Sequence, residues 1–116
     1  MKRFKLIFLF TILMSIVGAQ AYAYDLAVKN ADDVTIYYNY INDGTELKVA
    51  KYPSDSKYEG NVAIPDVVTV MDRTCKVTDI GDYAFYRCSG LTSLTIPNSV
   101  TIVWEIAFYV YFHWIL

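Results

Sequence analysis

Two stretches of this chain repeat themselves, at two different spacings. "VTDIGDYAF" (77–85) lies over "VTIVWEIAF" (100–108) at an offset of 23 residues. Val-Thr falls on Val-Thr, Ile80 on Val103, Asp82 on Glu105, and Ala84-Phe85 on Ala107-Phe108. "VAIPDVVT" (62–69) lies over "LTIPNSVT" (94–101) at an offset of 32, with Ile-Pro and Val-Thr in the same places. The longer spacing holds a hairpin inserted after the first Ile-Pro. Self-similarity at such a period marks a solenoid, a chain that returns to the same core once per coil. A small β-sandwich accounts for alternating apolar residues but not for two matched blocks.

The coil reading sorts the residues of one repeat. Ile80, Ala84, Phe85, Cys88, Leu91, Leu94, Ile96 and Val100 are expected to point inward. Pro97 turns the chain off the strand, and Gly81 and Gly90 turn it elsewhere. Ser93 and Thr95 are the outward residues of the strand face. Within "GDYAFYRCSG" (81–90), Ala84, Phe85 and Cys88 fall at i, i+1 and i+4, the spacing of a single helical turn.

The rest of the chain from Tyr24 reads as β. "VTIYYNYI" (34–41) is rich in β-branched and aromatic residues, "NDGT" follows, and "ELKVAKY" alternates polar with apolar. Asp-Gly between two such runs is a hairpin signal, because glycine accepts the positive φ of a tight turn. Ile36, Tyr38 and Tyr40 share one face of the first strand, and Tyr37, Asn39 and Ile41 the other. "PSDSKYEGN" (53–61) is a polar loop, and "VAIP" begins another strand. "DVVTVMDRTCKVTDI" (66–80) predicts a second hairpin turning near Asp72-Arg73-Thr74.

At these residues the chain resembles the BspA-type leucine-rich repeat proteins of bacterial surfaces. Their repeat runs I-G-x-x-A-F-x-x-C-x-x-L-x-x-L-x-I-P-x-S-V-T. Here it reads Ile80, Gly81, Ala84, Phe85, Cys88, Leu91, Leu94, Ile96, Pro97, Ser99, Val100 and Thr101 without a gap. The lead-in "IYYN", "YEGNVAIP" and the second hairpin look like that family's N-terminal cap. The resemblance implies a mainly β fold: an N-terminal β-hairpin cap leading into a short leucine-rich-repeat solenoid with one short helical turn per repeat. It also implies adhesion, or binding to proteins or glycans, at a cell surface.

The two ends depart from that pattern. "MKRFKLIFLFTILMSIVGAQAYA" has a basic start, an apolar stretch of 12 residues (Leu6 to Val17) and an A-x-A cleavage signal at Ala21 and Ala23, before Tyr24. The stretch is shorter than the roughly 20 residues of a membrane span, so the expectation is export, with membrane contact only through this segment. Past Thr101 a further repeat calls for Gly at 104, Cys at 111 and Leu at 114; the chain has Trp104, Tyr111 and Trp114. A closing element, a sticky segment or a truncated or frameshifted array each accounts for that tail. The expected organisation is a signal peptide at 1–23, a β cap at 24–66, the hairpin and first repeat at 67–101, and a degenerate or truncated second repeat at 102–116.

No chemistry for catalysis stands out. The only histidine, His113, lies in the aberrant tail, so no histidine relay or metal cluster can be assembled. Asp32-Asp33 and Asp79/Asp82 read as loop or turn residues, with Asp82 a possible cap for the helical turn. No glycine-rich phosphate loop and no cofactor motif is present. Removing the signal takes three of the ten basic residues and none of the twelve acidic ones, leaving −5, a charge unsuited to nucleic acid. Export permits a Cys75–Cys88 disulfide, but the simpler reading is a buried apolar Cys88 and an unrelated turn residue Cys75. Most of the eleven tyrosines lie in strands, where packing is their ordinary use. The functional expectation is an exported interaction protein, not an enzyme, with a protein or glycan ligand; the alternative is a remnant of a longer adhesin with no function of its own.

Overall fold

In the computed structural model, residues 24–54 and 56–108 are described. The expectations for the signal segment, including Ala21 and Ala23, and for Tyr111, His113 and Trp114 lie outside the described residues.

The chain begins with a three-stranded antiparallel meander: β1 (Leu26–Lys29), β2 (Thr35–Ile41) and β3 (Glu46–Val49). β2 and β3 form the hairpin that Asp-Gly signals, with Ile41 opposite Glu46. Asn42, Asp43 and Gly44 all take positive φ in its loop, a conformation that asparagine and aspartate tolerate better than other side-chain-bearing residues. β1 is not separable in the sequence, because four residues span too few periods to declare themselves; its pairing with β2, Leu26 opposite Tyr38, defines it.

β4 (Gly60–Ala63) is followed by a second hairpin, β5 (Val67–Val70) and β6 (Arg73–Ile80). Its turn is Met71-Asp72, earlier than expected, because Arg73 and Thr74 pair with Val70 and Thr69. The Thr69 and Thr74 hydroxyls share a hydrogen bond of 2.8 Å. Met71 and Asp72 both have positive φ, at 52° and 68°, the geometry that normally selects Asn-Gly. Met71 is 92 % exposed, so nothing packs on it. A Met71→Asn, Asp72→Gly variant should therefore unfold at a higher temperature, stabilised by about 1 kcal/mol; an unchanged or lower midpoint in a thermal melt would contradict the turn geometry.

β7 (Leu91–Thr95) and β8 (Ile102–Val103) complete the fold. Both sequence offsets reappear as strand registers. β8 runs parallel to β6 with Asp79 opposite Ile102 and Ile80 opposite Val103, a step of 23 residues. β7 runs parallel to β4 with Asn61 opposite Ser93, Val62 opposite Leu94 and Ala63 opposite Thr95, a step of 32. β3 precedes them in the first wall, parallel to β6. Successive coils thus stack in register as two walls, β3–β6–β8 and β4–β7, around one core.

The connection between the walls corrects the expectation of a helical turn. Residues 81–90 form consecutive turns, with Ala84 N–H donating to Gly81 O, Tyr86 to Tyr83 and Cys88 to Phe85. Tyr83 and Arg87 sit at φ of 64° and 56°, and a left-handed residue ends any right-handed helical run. The same inward set is reached without a helix: Ala84, Phe85 and Cys88 are all buried. Asp82 is exposed and has no helix to cap.

Ile80, Gly81 and Leu91 are also buried, whereas Leu94 and Val100 are half-buried against the core. Ile96, expected inward, is 41 % exposed. Its counterpart one coil earlier, Ile64, is buried and donates its N–H to Thr95 O; no described strand lies beyond β7 to cover Ile96 in turn. Pro97 is half-buried where the chain leaves β7. Cys75 lies within β6, not in a turn, and both cysteines are buried free thiols.

Candidate functional site

The strand pairing of β4 and β7 builds a small outward face from the predicted recognition residues. Val62 and Leu94 turn toward the core, so their neighbours face away from it. Ser93 and Thr95 are exposed, and Ser93 Oγ donates to Asn61 Oδ1 at 2.9 Å across the pair. Asn61 is the member of this row that the sequence reading did not single out. The offset of 32 already aligned it with Ser93. The register slips between Gly60 and Asn61, leaving Thr92 as an extra exposed residue beside the row.

The other wall carries a different face. The β3–β6 register also slips, between Leu47 and Lys48, so that Thr78 is an extra residue on β6. Val77 and Ile80 can then both be fully buried, with Thr78 and Asp79 between them on the outside of the wall. Asp79 is therefore not the loop carboxylate expected. It lies inside β6, shielded from water, and accepts hydrogen bonds from Thr78 Oγ1 at 2.8 Å and Trp104 Nε1 at 3.1 Å. Thr78 Oγ1 also lies 3.4 Å from Glu46 Oε1. Asp32 and Asp33 are exposed turn residues, as expected, with Asp33 in a surface ion pair with Lys29 at 3.3 Å.

A run of ring contacts links the meander to the first coil. Tyr24 meets Tyr37 edge-on at 4.9 Å, Tyr37 meets Tyr52 at 4.9 Å, and Tyr52 meets Tyr58 at 5.2 Å. Tyr58 then lies 5.1 Å from Phe85, whose ring stacks on Phe108 at 5.3 Å and 11°. The Tyr58 hydroxyl donates to Ala50 O at 2.9 Å and accepts from the Tyr37 N–H at 3.0 Å. It ties the meander to the first coil, a role no local pattern reveals. Burial pushes the Tyr58 and Tyr38 phenols well above their ordinary range, and it pushes the Cys88 thiol up as well. Among the described residues no group of three or more His, Cys, Asp and Glu is placed to hold a metal ion.

Residues 67–113 match the family described as the BspA type leucine rich repeat region. Among solved structures the chain is similar to a leucine-rich repeat protein from Bacteroides ovatus ATCC 8483, with 30 % identity and a TM-score of 0.60 over 73 % of this chain and 21 % of that one. It is also similar to a leucine rich cell surface protein from Faecalibacterium prausnitzii A2-165, with 28 % identity and a TM-score of 0.53 over 75 % of this chain and 21 % of that one. The chain spans about a fifth of the length of each. No curated protein matches it. The in-register coils and the unbroken Ile80–Thr101 repeat agree with these similarities, and residues 67–113 are similar to the BspA-type leucine-rich repeat region.

Proposed function

We propose that the protein is an exported, surface-associated binding module that adheres to proteins or glycans and performs no catalysis. The observation that carries this reading is the parallel stacking of β4 on β7 at a fixed step of 32 residues. It sets Asn61, Ser93 and Thr95 in one flat, solvated row on a rigid support. Repeat folds extend such rows into recognition surfaces by adding coils. The similarity to a leucine rich cell surface protein supports the location. Two strands offer less than the roughly 800 Å² per partner of a standard interface, so the affinity of this chain by itself should be weak.

The test is retention of the purified protein on immobilised extracellular-matrix proteins and glycans. A Ser93→Arg, Thr95→Arg variant places two bulky charges on exposed positions. Retention should fall while the thermal midpoint stays within a few degrees, because surface substitutions rarely change stability by more than about 0.5 kcal/mol each. Equal retention of the variant would remove this face from the reading; no retention of the wild type on any surface would remove the reading itself.

A further inference from the structure

β5 lies at one end of the six-stranded sheet, and no described strand pairs with its outer side. Asp66 O accepts from the Val77 N–H at 2.8 Å, so in this antiparallel ladder the backbone groups of Asp66, Val68 and Val70 turn toward β6. The N–H and C=O groups of Val67 and Thr69 therefore point outward. The other free edges carry the usual protection. β1 presents Lys29 in its ion pair with Asp33, β7 exposes the hydroxyls of Thr92, Ser93 and Thr95, and β8 is only Ile102–Val103. β5 instead reads Val-Val-Thr-Val with Met71 following, without proline or charge, and leaves Val67 46 % exposed. Neither the turn, whose left-handed φ suits asparagine, nor any packing within the chain calls for a methionine at 71.

We propose that this edge pairs with the same edge of a second copy of the chain, antiparallel and centred on Thr69. The register follows from the backbone. Outward groups must meet outward groups, which sets odd-numbered residues opposite odd-numbered ones and keeps side chains of one face together. Registers that set the partner's Pro65 opposite Thr69 or Met71 lose a bond, because proline has no N–H. A shift the other way sets the exposed Val67 against the partner's Arg73. With Thr69 opposite its own copy, Val67 meets the partner's Met71 on the outer face, twice over. Val70, half-buried, meets the partner's Val68 on the inner face. The segment 67–71 is thus complementary to itself, a match an unrelated strand has no reason to offer. At each end Asp66 meets the partner's Asp72, a like-charge pair that opposes the joint. Two such short strands also bury far less than the roughly 800 Å² per partner of a standard interface. The dimer is therefore weak and forms where the protein is concentrated. It goes beyond the binding-module reading and does not depend on it.

The experiment is sedimentation velocity of the purified protein from about 10 µM to about 1 mM, in wild type, Thr69→Lys, Thr69→Glu and Asp72→Asn. Wild type should pass from monomer toward dimer within that range. Thr69 is exposed and faces itself across the two-fold, so either charged variant should weaken the dimer about fivefold. An equimolar mixture of the two should restore it, because the mixed pair sets Lys against Glu. Asp72→Asn removes the like-charge pair at both ends and should strengthen the dimer severalfold. Thermal melts at low concentration, with midpoints within a few degrees of wild type, show that the variants fold. Asp72 is an exposed turn residue at positive φ, where asparagine is at ease, so that arm asks no tolerance of β5. A wild type that stays monomeric to the top of the range overturns the inference. So does a dimer that neither charge weakens, since it must use another surface. A mixture no tighter than its components, or no gain in Asp72→Asn, overturns the Thr69-centred pairing as well.

Discussion

Phe85→Ala should destabilise the protein by about 3–5 kcal/mol, the usual cost of emptying a buried phenylalanine site. Phe85 has no exposed surface, and its ring lies between those of Tyr58 and Phe108. Truncation removes a ring that touches both the cap side of the core and the next coil. It also leaves a cavity that fixed strands on both walls cannot collapse into. A domain of this size has a total stability of roughly 5–15 kcal/mol at most, so the variant should lose much of its cooperative transition. The control is Ile96→Ala, also a repeat position but exposed, which should shift stability by about 0.5 kcal/mol or less. Urea unfolding of the two variants side by side decides the matter. Equal costs would mean that the inward face of the coil has been misassigned.

Tyr58→Phe should cost about 2–4 kcal/mol although it removes a single oxygen. The hydroxyl serves two backbone groups, the Tyr37 N–H and Ala50 O. Its loss takes a hydrogen bond from each, at about 1–3 kcal/mol for a buried group left unsatisfied. Thermal melts test this directly, and a cost below about 1 kcal/mol would show that water or a backbone shift replaces the oxygen. The pH dependence follows from the same burial. The folded state holds the Tyr58 and Tyr38 phenols neutral, above the ordinary value of 10.0, through desolvation. The unfolded chain ionises them once the pH passes about 10. Their stabilising contribution is therefore complete below that pH and is lost as the pH rises beyond it, by up to about 1.4 kcal/mol per pH unit for each phenol that stays neutral. Tyr58→Phe, lacking one of the two phenols, should lose stability less steeply in the alkaline range than wild type.

The differences between expectation and structure share a cause. The i, i+1, i+4 spacing of Ala84, Phe85 and Cys88 suggests a helical turn, yet the backbone meets the same inward requirement with consecutive turns through left-handed Tyr83 and Arg87. Side-chain spacing records which residues must face the core, not which backbone path brings them there. Asp79 reads as a turn carboxylate beside Gly81 because no local signal marks the extra residue, Thr78, that turns it outward on the wall. Trp104 stands out only as a departure from the repeat, and its bond to Asp79 spans 25 residues of sequence.

By itself the sequence determined the coil. Stacking in register places each residue over its counterpart in the coil before, so spacings of 23 and 32 in the chain become strand pairings in space. The hairpins were legible for a similar reason, since Asp-Gly and the strands flanking it act on neighbouring residues. Only the tertiary structure decided which repeat positions are covered, where the Tyr58 hydroxyl is spent and how Trp104 is held. Those outcomes depend on partners one coil or more away, and burial is a property of what lies beyond a residue, which its own sequence neighbourhood does not contain.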